Sequence, residues 1–502
     1  MKRKKNLLIL GGVVVVLGGV IAAELAVNRH VDSINNTDVE VLAISPDEVE
    51  EVSWTYENSS LDFKKTDDTW YSSDDETFPV NQKTMKTFLE NFSSVHADFV
   101  IEDVEDYDQY GLQNPQCTMT IKTADGETTI KMGDYSSMDS KRYITLDDGT
   151  VYLITEDLLE DMKSDRDEFM QLDELGDYER IDSFKVSGEN KLNLIYDEES
   201  HSYSDDYHYY LKDGDDYQAL STDLAKSYES NVTDLDLSDY VTYQADEDAL
   251  KKYGLDDPVM TIEVSGQVAE DVEEEDGEDA DASEDADASE DTYGSEDADA
   301  SEDTDASADD NSSDTATLVD KSYTLNIGKK GSKYYANVDG STIIYEMDSD
   351  VYDTLKDASY DSLRPTELLA LDWSKVDQLT WNSGDQDYTI EVTHKGDEDT
   401  YKLNGEEVEC DDMIAAVDAL TVNSFEDTEA DKDQELAVTI TVEAGDQAAS
   451  DVDETQDISM EFYQYNGDDC IVVLDGQPTG LISRDQVVDL KEALEKLVLS
   501  QE

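Results

Sequence analysis

Five histidines are the first residues to ask for chemistry: His30, His96, His201, His208 and His394. None stands in HExxH or another i,i+4 pair, so a helical metal site has no ligand set. His201 and His208 share a short acidic stretch with Tyr203, Tyr207, Tyr209 and Tyr210 that could line a surface site. The competing expectation is a solvated hairpin with tyrosines on its inner face. No GxSxG elbow and no SxxK, SDN or KTG set supplies a nucleophile. Cys117, Cys410 and Cys470 are odd in number, far apart and without CxxC spacing. A disulfide framework and a zinc site are thereby excluded, leaving small semi-buried hydrophobes with, at most, an incidental Cys410–Cys470 bridge. Carboxylates are so numerous that no single pair marks a glycosidase. No catalytic, cofactor-binding or metal-ligating residue is nominated, and the expectation is a non-enzymatic protein with no cofactor.

Acids number 127 against 35 bases in 502 residues, a formal net charge of −92. Such a surface has no grip on nucleic acid and is repelled by anionic lipid. Apolar residues make up 38%, with 29 Tyr and only 6 Pro, enough for several modest cores. Residues 269–316 hold 23 of the acids and no Lys, Arg or His, and Asp-Ala-Ser-Glu-Asp recurs at Asp281–Asp285, Asp287–Asp291 and Asp299–Asp303. The stretch cannot bury enough apolar surface to offset chain entropy, so a disordered insert is expected. Asp276-Gly277-Glu278-Asp279 lacks the spacing of an ordered calcium loop, leaving diffuse counterion binding. The insert falls between strands ending near Val264 and resuming near Tyr323, where an earlier unit has the turn Ala124-Asp125-Gly126. It therefore reads as a hairpin loop and not as a domain boundary.

The elements that must carry these residues begin with an address. Met1-Lys2-Arg3-Lys4-Lys5 precedes an apolar run from Leu7 to Ala23 that Leu25-Ala26-Val27 extends beyond Glu24. The pattern predicts a cytoplasmic tail over 1–6 and a transmembrane signal anchor over 7–27, with the bulk of the chain extracytoplasmic. A cleaved signal peptide is the alternative, though Ile21-Ala22-Ala23 offers only a weak cleavage site. A lipoprotein would need a Cys just after the run, and the first is Cys117.

Beyond the anchor the chain repeats itself. Tyr110-Gly111-Leu112-Gln113-Asn114-Pro115 recurs as Tyr253-Gly254-Leu255-Asp256-Asp257-Pro258. Gly closes a helical turn in the left-handed conformation, Leu supplies the apolar contact of such a cap, and Pro starts an extended segment. Tyr110, Gly111, Leu112 and Pro115, with Tyr253, Gly254, Leu255 and Pro258, are therefore read as a structural helix-to-strand corner and not as ligands. Val49-x-x-Val52-x-Trp54, Ile181-x-x-Phe184-x-Val186 and Val376-x-x-Leu379-x-Trp381 each open a unit. Each leads to an amphipathic helix: Asn81 capping Met85, Phe88, Leu89 and Phe92; Ser221 capping Leu224, Ala225, Tyr228 and Val232; and Asp411 or Asp412 before Met413, Ile414, Val417 and Leu420. Closing helices are expected from Asp157, Asp350 and Asp485. The order β-β-β-α-β-β-β-β-α with short loops predicts α+β repeats of antiparallel sheet and helix, over 45–176, 177–370 and a divergent 371–502.

The helix, the Tyr-Gly-Leu-x-x-Pro corner and the strand-Gly-hairpin block after it resemble the bacterial domain-of-unknown-function family 4340 (DUF4340). The resemblance covers about 45–175 and 178–370, and 373–500 more distantly. It implies a membrane-anchored extracytoplasmic protein, of a kind often encoded beside ABC-type permeases, and it carries no active site. The expectation is thus a non-enzymatic anchored accessory or scaffold, with the membrane and an ABC-type permease or other envelope protein as partners. The alternative is an extracellular binding module for a basic or polymeric ligand.

Overall fold

The computed structural model describes residues 38–269, 317–383, 386–396, 398–425, 430 and 432–501. Among these residues the strands form three nine-stranded antiparallel sheets. The first holds β1 (Val39–Leu42), β2 (Val49–Tyr56), β3 (Ser59–Thr66), β4 (Thr69–Ser72), β5 (Val95–Ile101), β6 (Cys117–Thr123), β7 (Gly126–Ser136), β8 (Lys141–Thr145) and β9 (Val151–Ile154). Its order is β1-β5-β9-β8-β7-β6-β2-β3-β4. The second holds β10 (Tyr178–Gly188), β11 (Leu192–Tyr196), β12 (Tyr209–Asp213), β13 (Asp216–Ala219), β14 (Tyr240–Thr242), β15 (Met260–Ala269), β16 (Leu318–Lys330), β17 (Lys333–Val338) and β18 (Ile344–Met347). The third holds β19 (Val376–Ser383), β20 (Gln386–Lys395), β21 (Glu398–Leu403), β22 (Glu406–Val408), β23 (Val422–Ser424), β24 (Gln434–Glu443), β25 (Thr455–Gln464), β26 (Asp469–Leu474) and β27 (Gln477–Ser483).

The plan is common to all three. The opening strand (β2, β10, β19) is central, flanked by its hairpin partner and by the strand that starts the second meander (β6, β15, β24). Trp54 lies opposite Met119, Val186 opposite Ile262 and Trp381 opposite Val438, so these positions are equivalent. The strand after the helix (β5, β14, β23) crosses to pair with the last one (β9, β18, β27). β14 and β23, three residues each, are too short for an alternation to show.

Helices cover the apolar faces. α1 (Gln82–Glu90) is capped by Asn81, whose side chain accepts from the Thr84 amide, and buries Met85, Phe88 and Leu89. In α2 (Thr222–Thr233) the buried stripe is Ala225, Tyr228, Glu229 and Val232. Leu224, expected on that stripe, is 40% exposed because it stands one position off the i, i+3, i+4, i+7 row. α3 (Glu247–Tyr253) leads into the second corner, and α4 (Ser349–Asp357) and α5 (Tyr360–Leu363) close that repeat. α6 (Asp411–Asp418) and α7 (Arg484–Leu499) serve the third. The helix expected from Asp157 is replaced by two 3-10 turns, Asp161–Lys163 and Arg166–Phe169. Its apolar residues fall in two groups, Leu158, Leu159 and Met162, then Phe169 and Met170, split by a charged run, so each group is buried by its own short turn.

The anchored fold class is corrected. Among the described residues no helix is long and apolar enough to cross a membrane. The longest, α7, has 16 residues and a charged outer face, about 24 Å against the ~30 Å of a hydrocarbon core. The span expected over 7–27 lies outside the described residues, as does the insert expected over 269–316 apart from Ala269. The fold is α+β with three repeated sheets. The chain divides into two compact units: one contains the first sheet with 240–246 and 342–344, and the other the rest of the second sheet with the third.

Candidate functional site

The two corners are alike in detail. Gly111 and Gly254 adopt φ of 70° and 76°. The amide of Leu112 donates to the Tyr107 carbonyl at 3.0 Å, and that of Leu255 to the Leu250 carbonyl at 2.8 Å. Both leucines are buried. Tyr110 packs on Tyr143 and Tyr253 on Tyr335, ring centroids 5.0 and 4.7 Å apart. After Pro115 and Pro258 the chain enters the sheet, with Gln116 donating to Met132 and Val259 to Ile327. A Cβ on Gly133 would stand 2.2 Å from the Tyr110 carbonyl oxygen, and one on Gly328 2.7 Å from that of Tyr253. The glycine of each long strand is the socket for the corner, a pairing invisible in sequence because the partners are more than twenty residues apart.

His201 and His208 meet the same residue, Asp197, His201 at its carboxylate and His208 at its carbonyl. The His201 ring lies between two carboxylates, Nε2 at 3.1 Å from Asp197 and Nδ1 at 3.1 Å from Asp451, and stacks on Tyr217 at 3.5 Å. His208 Nδ1 meets the Asp197 carbonyl. Tyr210 is fully buried; its hydroxyl accepts from the His201 amide at 2.9 Å and donates to the Tyr207 carbonyl at 2.5 Å. The Tyr203 hydroxyl accepts from the Ala370 amide, and burial pushes it up to about 12. Burial raises Tyr207 and Tyr209 as well. The Asp205 carboxylate accepts from the amides of Asp446 and Gln447, and Ser200 exchanges backbone bonds with Gln447 and Ala449. These groups spend their bonds on one another, clasping loop 197–208 of the second repeat to loop 444–454 of the third. No sequence signal joins residues 250 positions apart.

Cys117, Cys410 and Cys470 are free and buried, so there is no Cys410–Cys470 bridge. Burial pushes Cys117 up to about 12 and the other two to about 11, which removes their nucleophilic form at neutral pH. Among the described residues no group of three or more His, Cys, Asp and Glu could hold a metal ion. Glu229, which the sequence did not single out, is 4% exposed, and burial raises its carboxyl to about 8.

What the turns do gather is negative charge. At one end of the first sheet a cleft of about 550 Å³ is lined by Asp47, Glu48, Glu50, Asp67, Asp68 and Asp125. Its one lysine, Lys65, turns its ammonium onto the Asp47 carbonyl at 3.1 Å. Asp67 and Asp68 reach the cleft from a turn with φ of 49° and 62°, a conformation that Asp tolerates better than most residues. The third sheet has an acidic cavity of about 450 Å³ lined by Glu406, Glu407, Glu409, Asp411 and Asp412, where Lys496 pairs with Asp412.

The domain of unknown function DUF4340 matches this chain twice, over residues 70–258 and 225–437. The chain belongs to the DUF4340 family. Both matches contain the corner Tyr253–Pro258, the first also contains Tyr110–Pro115, and together they reach from β4 into β24. No curated protein and no solved structure matches the chain. The DUF4340 membership thus brings the repeat and no chemistry. The anchor, the permease partner and the single-pass localisation drawn from the N-terminal run have no membrane-spanning helix among the described residues to rest on, and the anchored-scaffold reading falls with them.

Proposed function

We propose that this DUF4340 chain is a non-enzymatic module that binds a basic, polymeric ligand. The observation that carries the reading is the cleft at the end of the first sheet, where six carboxylates meet one lysine already turned onto a carbonyl. Beyond 269–316, which takes 23 acids and no base, the rest of the chain still has a formal charge of −69. A polymer carrying repeated positive charges gains from every such cluster it spans, and gains most in clefts whose low-dielectric walls focus the field. Calorimetric titration of the full chain with oligolysine should show binding that weakens steeply as added salt shortens the Debye length. Exchanging Asp67, Asp68 and Asp125 together for Asn should weaken it about tenfold, and the Asn side chains keep the left-handed turn. Binding that is unchanged in this triple variant, or absent at low salt, sinks the proposal.

A further inference from the structure

One core-facing position of the opening strand is Trp54 in the first repeat, Val186 in the second and Trp381 in the third. Its partner across the hairpin is Leu61, Leu192 or Tyr388 in turn. The first repeat stacks Trp54 on Phe88, ring centroids 4.9 Å apart, and the third stacks Trp381 on Tyr388 at 5.4 Å. In the second a valine faces a leucine, and neither has the volume of an indole. The closing segment does not make up the difference. In the third repeat α7 runs for 16 residues, and beyond it the Gln501 side chain donates to the Leu403 carbonyl at 2.6 Å. In the second, α4 has 9 residues, and the chain leaves it through an extended Ala358. Leu211, the counterpart of Leu403, is 9% exposed where Leu403 is sealed.

A cavity of about 720 Å³ opens at this place, a size usual for small-molecule sites. Val186 and Leu211 stand at its back, and the half-buried Leu192, Ala358 and Tyr360 give it an apolar wall. Asn190 fixes that wall, its side-chain amide donating to the Leu355 and Ala358 carbonyls at 2.9 and 3.0 Å. The mouth carries charge of both signs. Asp213 and Asp216 are cross-strand partners at the β12–β13 turn, and Lys191 stands just before β11. These three side chains, and that of Gln218 beside them, are exposed and have no hydrogen-bond or ion-pair partner among the described residues. The other two lysines of the lining are engaged, Lys185 with Glu263 at 2.9 Å and Lys212 with the Tyr217 hydroxyl at 2.6 Å.

We infer that the second repeat binds a zwitterionic aromatic amino acid, whose ring takes the place that Trp54 and Trp381 fill in the other two. The apolar wall covers the ring, and removing that surface from water favours binding. The ammonium group pairs with Asp213 and Asp216 and the carboxylate with Lys191, so each charge finds its opposite. The Gln218 amide both donates and accepts, which suits either end. A purely basic ligand is opposed here by Lys191 and finds more carboxylates in the cleft of the first sheet. A simple anion meets Asp213, Asp216 and the field of a chain of −92. The site lies in a different repeat from that cleft and does not depend on the proposed basic polymer.

The test is calorimetric titration of the full chain with tryptophan, tyrosine and phenylalanine. The N-acetyl amide of each is the control, since it keeps the ring and lacks both charges. At least one amino acid should bind saturably, and its N-acetyl amide should bind at least about tenfold more weakly. Val186→Trp gives the second repeat the indole of the other two, so it should fill the cavity and abolish binding. Asp213→Asn combined with Asp216→Asn, at exposed positions outside the core, should weaken binding about tenfold. Should Val186→Trp not fold, this double variant decides the matter alone. Saturable binding of none of the three, equal binding of amino acid and amide, or an affinity unaltered in either folded variant overturns the inference.

Discussion

Glu229 stands on the buried stripe of α2, 4% exposed, with its carboxyl raised to about 8 by burial and only Lys226 opposing. The folded chain holds a proton there that the unfolded chain releases near 4.5. Between those values the native state binds more protons, so this contribution to stability is full below about 4.5 and is lost as pH rises through about 8. Glu229→Gln keeps the shape and removes the titration. Its melting temperature should exceed the parent's at pH values above about 8, and the gap should close towards the acid side. A gap independent of pH would show that Glu229 is ionised or hydrated in the folded state. The residue was unreadable beforehand because a glutamate beside Tyr228 looks like the polar edge of the stripe. Trp54 and Trp381 were readable as core openers, but the Met162 carbonyl that accepts from Trp54 Nε1 comes from a closing segment more than a hundred residues away, and Trp381 Nε1 has no partner among the described residues.

Elements were readable where their causes are local. Asn81 and Ser221 cap helices whose side chains lie within one turn, and the alternation of β2, β10 and β19 needs no distant partner. The closing segment of the first repeat was misread because its apolar residues serve two short turns, and β14 and β23 were missed for want of length. Gly133 shows the other limit: it is demanded by a corner elsewhere in the chain. Gly133→Ala places a Cβ 2.2 Å from the Tyr110 carbonyl oxygen, so strand or corner must shift. A loss of about 1–3 kcal/mol is expected from such overpacking. Gly467 has open space around its would-be Cβ and no positive φ, so Gly467→Ala should be neutral or slightly stabilising. Urea denaturation of both variants decides it. Equal midpoints would mean that the corner does not seat on Gly133.

Across the whole chain, the repeats diverge most at one turn, the one joining the first two strands of the second meander. In the first repeat β6 and β7 are joined through Ala124-Asp125, and in the third β24 and β25 through 444–454. In the second, β15 and β16 pair in unbroken register from Met260↔Ile327 out to Ala269↔Leu318, with 270–317 between them. The acid-rich stretch is thus spliced into a hairpin whose strands find each other by pairing and by the shared core of Met260, Ile262, Val264, Leu325 and Ile327. Replacing 270–316 by a short Gly-containing turn should therefore leave the second sheet intact. Closing the hairpin through a handful of residues should favour folding by about 2 kcal/mol, since closure entropy grows with the logarithm of length. Losing 23 acids with no base among them should also relieve self-repulsion and flatten the dependence of stability on salt. Thermal unfolding of parent and deletion variant at low and physiological salt measures both effects. A melting temperature several degrees lower in the variant, at either salt, would mean that the two strands need the intervening chain to reach their register.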